Sequence, residues 1–178
     1  MSRLATPSPD AAPDAAKATL EAISAQFGFV PNMFATLASN PTVLNTVVGL
    51  QSTLSRVLDT KTRHTIALAV SATNDCDYCL AIHGYVSSEL GGMSSHDIDL
   101  AREGSSTDRK RAAAARFAQQ VIENRGHVPD ADLTAVRDAG YTDPQILTIV
   151  TVAVQALLTN LINNVNQTTI DIPTSASA

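Results

Sequence analysis

Aromatic residues are scarce in this chain: they make up 4% of its 178 residues, and tryptophan is absent. The core must therefore be filled mainly by alanine, leucine, isoleucine and valine, a composition that favours close-packed helices over a β-sandwich. Net positive charge is also lacking, since the formal charge at pH 7 is −5. This excludes the basic surface of proteins that bind nucleic acid or anionic membranes. We predict neither a nucleic-acid partner nor a membrane partner.

Cysteine is nearly absent, with only Cys76 and Cys79 in the whole sequence. Two cysteines three positions apart do not form the disulfide framework of a secreted protein, and the N-terminal residues lack the apolar segment of a signal peptide. We therefore expect a cytoplasmic protein. In that reducing compartment a Cys-x-x-Cys pair is more often catalytic or metal-binding than structural.

Apolar residues recur at helical spacing along most of the chain, and no segment alternates with the period of a strand. The sequence thus predicts an all-α bundle of about eight helices. We expect a flexible leader at residues 1–13, which contain three prolines, a single domain at 14–168 and a polar tail at 169–178. The last helix, at about 143–167, is apolar nearly all round, so we expect it both in the core and at a subunit interface.

The most informative segment is Cys76-Asp77-Tyr78-Cys79-Leu80-Ala81-Ile82-His83. Asn74-Asp75 is a break or a cap, so the cysteines are predicted in the first turn of a helix, where the two sulfurs and His83 share one face. Cα atoms three apart on a helix fall within the roughly 4.4–6.8 Å that a disulfide tolerates. A helix N-terminus and a histidine one turn away both favour a thiolate.

The spacing predicts a redox cycle in which Cys79, with the histidine partner, is the nucleophile and Cys76 the resolving thiol. A peroxide would convert Cys79 to a sulfenic acid, Cys76 would condense with it, and a dithiol would reduce the disulfide. Two alternatives stay open: buried cysteines that only pack, and a zinc site whose fourth ligand would be His64 or His96. His96 and His127 are expected at the surface, and no cofactor is predicted.

Residues 69–83 resemble the core motif of the carboxymuconolactone decarboxylase and alkylhydroperoxidase D (AhpD-like) superfamily, with its Cys-x-Tyr-Cys-x-x-x-His portion matched in full. Secondary similarities lie at 30–34, 90–94 and 159–173, so the resemblance extends over about residues 25–173. It implies a helical fold assembled as a homotrimer or homohexamer. It also implies a hydroperoxidase in which Cys79 attacks, Cys76 resolves and His83 belongs to the proton relay.

The sequence departs from the superfamily pattern at His64. Twelve residues before the first cysteine, peroxidase members resemble one another in carrying a glutamate that completes the relay. A neutral His64 could still pass a proton, whereas a protonated His64 would favour the Cys79 thiolate. The alternative function is a thiol–disulfide oxidoreductase or a catalytically impaired member. A second departure is Asn164, where similar proteins often carry histidine.

Overall fold

The computed structural model describes residues 2–172, and this part of the chain contains nine α-helices and no strand. The all-α prediction is confirmed, with nine helices rather than about eight. A 3-10 helix at Pro9–Ala11 comes first. The α-helices are α1 (Asp14–Phe27), α2 (Asn32–Leu37), α3 (Pro41–Leu54), α4 (Thr60–Thr73), α5 (Asp77–Glu89), α6 (Ser95–Arg102), α7 (Arg109–Glu123), α8 (Asp130–Asp138) and α9 (Asp143–Asn166).

Side-chain caps determine where several helices begin. Asp59, Ser94 and Asp108 precede α4, α6 and α7, and each accepts a hydrogen bond from the backbone N–H three residues on. Such bonds satisfy one of the free N–H groups at a helix start, and each contributes about 1 kcal/mol. These local signals explain why the helix order follows the sequence pattern closely.

Helix α4 lies at the centre of the bundle and contacts α5, α6, α7 and α9. One apolar cluster joins α4, α7 and α9 around Ile66, Val70, Phe117 and Ile149. A second cluster is built from α1, α2 and α3, and it includes both cysteines. The cysteine helix α5 therefore lies beside the central helix, between it and the layer formed by the first three helices.

Helix α9 has two different faces. One face is buried against α4, α5 and α7. The other exposes an apolar stripe that recurs at helical spacing: Leu147, Val154, Leu158, Leu161 and Val165. By length and composition alone α9, with a mean hydropathy of 1.8, could also cross a bilayer. A core helix meets the same test, and its buried face here carries several asparagines.

Both ends of the described chain make specific contacts near α9. In the leader expected at 1–13, the backbone N–H of Arg3 donates to the Asn166 carbonyl at 2.7 Å and that of Leu4 to Asn166 Oδ1 at 2.7 Å. Asp171 lies in the tail expected at 169–178 and accepts from the Tyr78 hydroxyl at 3.1 Å and the Asn32 N–H at 2.8 Å. Residues 173–178 of that tail, with Met1, lie outside the described part of the chain.

Candidate active site

The two cysteines lie at the start of α5. Helix α4 ends at Thr73, and Asp75 turns the backbone sharply with a left-handed φ of 49°. Cys76 is then the N-cap of α5, and its Sγ accepts a hydrogen bond from the backbone N–H of Cys79 at 3.4 Å. The predicted position in the first helical turn is confirmed. Cys79 is the third residue of α5, among the N–H groups that favour a negative charge.

Both thiols are free and almost closed to solvent, with 0% exposure for Cys76 and 2% for Cys79. The second apolar cluster covers them. Two surface cavities, of about 440 and 340 Å³, lie elsewhere: one beside Tyr141 and one beside Leu20. A reactant reaches Cys79 only when part of the covering layer moves, which favours a small molecule.

Two asparagines of α9, Asn160 and Asn163, line the thiol pair. Asn163 Nδ2 lies 3.3 Å from Cys79 Sγ and donates to it. Asn160 donates to the Ser71 hydroxyl at 3.0 Å, and its Oδ1 accepts from Asn74 at 3.2 Å. Sequence reasoning gave neither asparagine a role, although both lie in the segment 159–173 that carries part of the resemblance. The missed signal was a pair of amides, three residues apart, on the face of α9 that is buried in the bundle.

The surroundings of the two thiols shift their pKa values in opposite directions. A hydrogen bond from the Cys76 thiol lowers the pKa of Cys79 below its ordinary value, and the Asn160 and Asn163 amides add to this against the effect of burial. The same thiol–thiol hydrogen bond, together with burial, raises the pKa of Cys76. The pair therefore ionises first at Cys79, and Cys76 retains the proton. A buried thiolate here has three hydrogen-bond donors, and no cation among residues 2–172 adds to the lowering of its pKa, so dipoles stabilise it.

His64 and His83 form a pair one turn away from the cysteines. Their Nδ1 atoms are 3.3 Å apart and their ring centroids 5.5 Å apart. A hydrogen bond between two ring nitrogens requires one N–H and one free lone pair, so the rings adopt opposite tautomers. Burial lowers the pKa of His64 to about 4, with Arg63 adding to the effect, and burial followed by the charge of His64 lowers that of His83 to about 3.

The imidazole pair is therefore neutral at pH 7. Of the two roles considered for His64, a protonated ring that favours the thiolate does not fit this environment, and a neutral relay does. His83 was expected beside the Cys79 sulfur, but its Nδ1 is directed at His64, and within residues 2–172 no hydrogen bond joins it to Cys79. The cysteine pair and the histidine pair are therefore separate. Both cysteines lie at the start of α5, whereas the histidine pair joins His64 of α4 to His83 of α5.

The described residues contain no group of three or more histidine, cysteine, aspartate or glutamate side chains arranged to hold a metal ion. The zinc alternative required His64 or His96 to join the cysteines. His64 is paired with His83 instead, and His96 is exposed on α6. His127 is also exposed, as predicted.

Comparison with known proteins relates this chain to a described family and to solved structures. The sequence profile of the carboxymuconolactone decarboxylase family matches residues 41–121, which contain both cysteines and both paired histidines. A peroxidase-related protein from Ralstonia eutropha JMP134, described as an alkylhydroperoxidase AhpD core, is similar in structure with a TM-score of 0.85. It is 26% identical, and the match covers 96% of this chain and 92% of that one. Residues 41–121 thus match the carboxymuconolactone decarboxylase family, and the fold as a whole is similar to that of AhpD-like proteins.

Other members of this fold carry different names. A peroxidase-related protein from Silicibacter sp. TM1040 has a TM-score of 0.82 and 24% identity over 94% of this chain and 91% of its own. The debrominase Bmp8 has a TM-score of 0.76 and 18% identity over 89% of this chain and 87% of its own. No curated protein sequence matches the chain. The AhpD-like fold thus hosts more than one chemistry, and function must be argued from the site.

Proposed function

We propose that this AhpD-like protein is a thiol-dependent hydroperoxidase that reduces hydrogen peroxide or organic hydroperoxides. The observation that carries the proposal is the ordering of the two thiols. Cys79 receives the amide of Asn163 and the thiol hydrogen of Cys76, so it is the one that ionises. A thiolate beside a second thiol, at the start of a helix, is the arrangement that a two-cysteine peroxidase needs.

The proposed cycle has three steps. The Cys79 thiolate attacks the hydrogen-bearing oxygen of the hydroperoxide. An S–O bond forms, the O–O bond breaks, the sulfur loses two electrons, and the alkoxide or hydroxide that leaves takes up a proton. Cys76 then attacks the Cys79 sulfur, forming the disulfide, and its proton leaves with the hydroxyl as water. An external dithiol, a small molecule or a protein, returns two electrons and two protons by thiol–disulfide exchange.

His64 and His83 act in this proposal as a neutral proton relay. One ring has an N–H to give to the leaving alkoxide, and the other has a free nitrogen to take a proton from water. Because both pKa values are depressed, to about 4 and about 3, the pair stays neutral through the physiological range. A neutral relay predicts a peroxidase rate that follows the ionisation of Cys79 and shows no separate histidine titration near pH 6.5.

The test is a peroxide-consumption assay with several dithiol donors on the wild type, Cys79→Ser and Cys76→Ser. Cys79→Ser should lose peroxide reduction entirely. Cys76→Ser should react once with peroxide, accumulate a sulfenic acid that dimedone traps, and then turn over slowly. A Cys79→Ser protein that consumes peroxide like the wild type would overturn the proposal. Cys76→Ser with undiminished turnover would overturn the resolving role.

A second candidate function is thiol–disulfide exchange without efficient peroxide reduction. It is favoured by His64, which stands where the peroxidase members of the superfamily carry glutamate. The two candidates differ in rate constants. An exchange enzyme would reduce a disulfide substrate much faster than it forms a sulfenic acid, whereas a hydroperoxidase would show the reverse order.

We also propose a homo-oligomer, a trimer or hexamer, working in the cytoplasm where dithiol reductants are available. The support is the apolar stripe of α9, whose five large side chains are 38–70% exposed. A contiguous apolar helix face of this kind typically marks a protein contact. Sedimentation at micromolar concentration should give a mass above that of the 18.7 kDa chain.

A further inference from the structure

Of the two polar groups of the Asn163 carboxamide, only the NH₂ group makes a hydrogen bond within residues 2–172. The residue is 2% exposed, and its Nδ2 donates to Cys79 Sγ at 3.3 Å. Its Oδ1 is buried and accepts no hydrogen bond from any residue between 2 and 172. A buried amide oxygen without a donor costs about 1–3 kcal/mol, so such an atom calls for an explanation.

The orientation of the amide follows from the state of the sulfur. A thiolate accepts hydrogen bonds and cannot donate them, so ionised Cys79 holds the NH₂ side towards itself and turns Oδ1 away. The two polar atoms of a carboxamide are ~2.3 Å apart. Oδ1 therefore lies no more than ~5.6 Å from Cys79 Sγ, given the 3.3 Å from Nδ2 to the sulfur.

One oxygen atom can bridge that interval. A hydroxyl bonded to Oδ1 at ~2.8 Å can also lie ~3.3 Å from the sulfur, because the sum of these distances exceeds ~5.6 Å. The bridging atom must bring a hydrogen for Oδ1 and be open to attack by sulfur. The terminal oxygen of a hydroperoxide, R–O–O–H, meets both requirements, and the sulfenic acid formed afterwards still presents its O–H to Oδ1.

We propose that Asn163 binds the hydroperoxide at Cys79, with Nδ2 holding the sulfur and Oδ1 accepting the hydrogen of the terminal oxygen that the sulfur attacks. The inference rests on the proposed function. It makes Asn163 the residue that selects an electrophile bearing O–H. The S–O bond then forms on the oxygen held by Asn163, the O–O bond breaks, and the alkoxide leaves on the far side.

The test compares two reagents for the same thiolate. In a Cys76→Ser background, sulfenic acid formation by hydrogen peroxide and alkylation by iodoacetamide are both proportional to the ionised fraction of Cys79. Their ratio at one pH is therefore independent of the ionised fraction of Cys79. Iodoacetamide reacts at carbon and needs no acceptor for an O–H. Asn163→Leu should lower the peroxide-to-alkylation ratio roughly tenfold, as expected for one lost hydrogen bond in the transition state.

Asn163→Asp keeps the acceptor and loses the donor. It should leave the ratio within about threefold of the wild type, while the Cys79 pKa, read from the thiolate absorbance, rises. This variant also decides the question if Asn163→Leu fails to fold. Asn160→Leu is the matched control, because its Oδ1 is already occupied by Asn74. It should change the Cys79 pKa but not the ratio.

The outcomes separate the two proposals. A wild-type Cys79 that does not react with peroxide overturns both the proposed function and this inference. If the wild type reacts with peroxide but Asn163→Leu leaves the peroxide-to-alkylation ratio unchanged, the inference alone is overturned. The same holds if Asn163→Asp lowers this ratio as much as is expected for Asn163→Leu. Equal losses of peroxide reaction and alkylation would reduce Asn163 to a residue that sets the thiol pKa.

Discussion

The neutral histidine pair makes the fold sensitive to acid. His64 and His83 have depressed pKa values of about 4 and about 3, so at pH 5 the folded protein holds both rings largely unprotonated. In the unfolded chain a histidine has a pKa of about 6.5 and is ~97% protonated at that pH. Below pH 6.5 the unfolded state binds more protons, so the free energy of unfolding falls as the pH falls.

The size of this loss in the free energy of unfolding depends mainly on the histidine pKa in the unfolded chain. Keeping one histidine neutral costs about 2 kcal/mol at pH 5 and about 0.2 kcal/mol at pH 7. The two rings together lower the free energy of unfolding by up to about 4 kcal/mol between pH 7 and pH 5, and by about 2 kcal/mol if their half-buried edges keep some hydration. For a chain of this length that corresponds to roughly 5–15 °C in Tm.

Urea unfolding under reducing conditions, at pH 7 and pH 5 and at two protein concentrations, measures this change. The double variant His64→Gln/His83→Gln should lose most of the pH dependence. His96→Gln is the matched control, since His96 is an exposed histidine of α6, and it should keep the wild-type dependence. If the double variant loses as much stability between pH 7 and pH 5 as the wild type, the argument for a neutral buried pair is wrong.

Three further predictions follow from other contacts. If the second candidate function holds, His64→Glu should raise peroxidase turnover substantially by placing a carboxylate in the relay, and an active wild type whose turnover this change leaves unaffected in a steady-state assay would count against that candidate. Asp97→Ala should lower the free energy of unfolding by about 3 kcal/mol, because buried Asp97 accepts four hydrogen bonds. Asp99→Ala is the control: Asp99 forms an exposed ion pair, and its replacement should lower the free energy of unfolding by under about 1 kcal/mol. Leu158→Glu/Leu161→Glu should reduce the sedimenting mass, and an unchanged mass would exclude this face of α9 from any assembly.

The sequence predicted those features of the fold that arise from neighbouring residues. Side chains that cap a helix act within three residues, so caps such as Asp59, Ser94 and Asp108 depend only on local sequence. The position of Cys76 at the start of α5 is of the same kind, since Asn74 and Asp75 interrupt the helical pattern just before it.

What the sequence could not predict was the set of partners around each reactive group. The spacing of Cys79 and His83 allows contact, but the direction of the His83 ring is decided by His64, nineteen positions earlier on α4. The sulfur of Cys79 instead receives Asn163, eighty-four positions later. Contacts between distant segments depend on how α4, α5 and α9 pack, and no periodicity within one helix contains that information.

The two faces of α9 have different surroundings. Asn160 and Asn163 point inward to the thiols, while Leu158 and Leu161 point outward from the same two turns. Any ligand, subunit or surfactant that presses on the outer side and shifts the helix by a fraction of an ångström moves the amides against the sulfur. The redox potential and thiol reactivity measured for this protein should therefore be compared only between preparations in the same state of assembly.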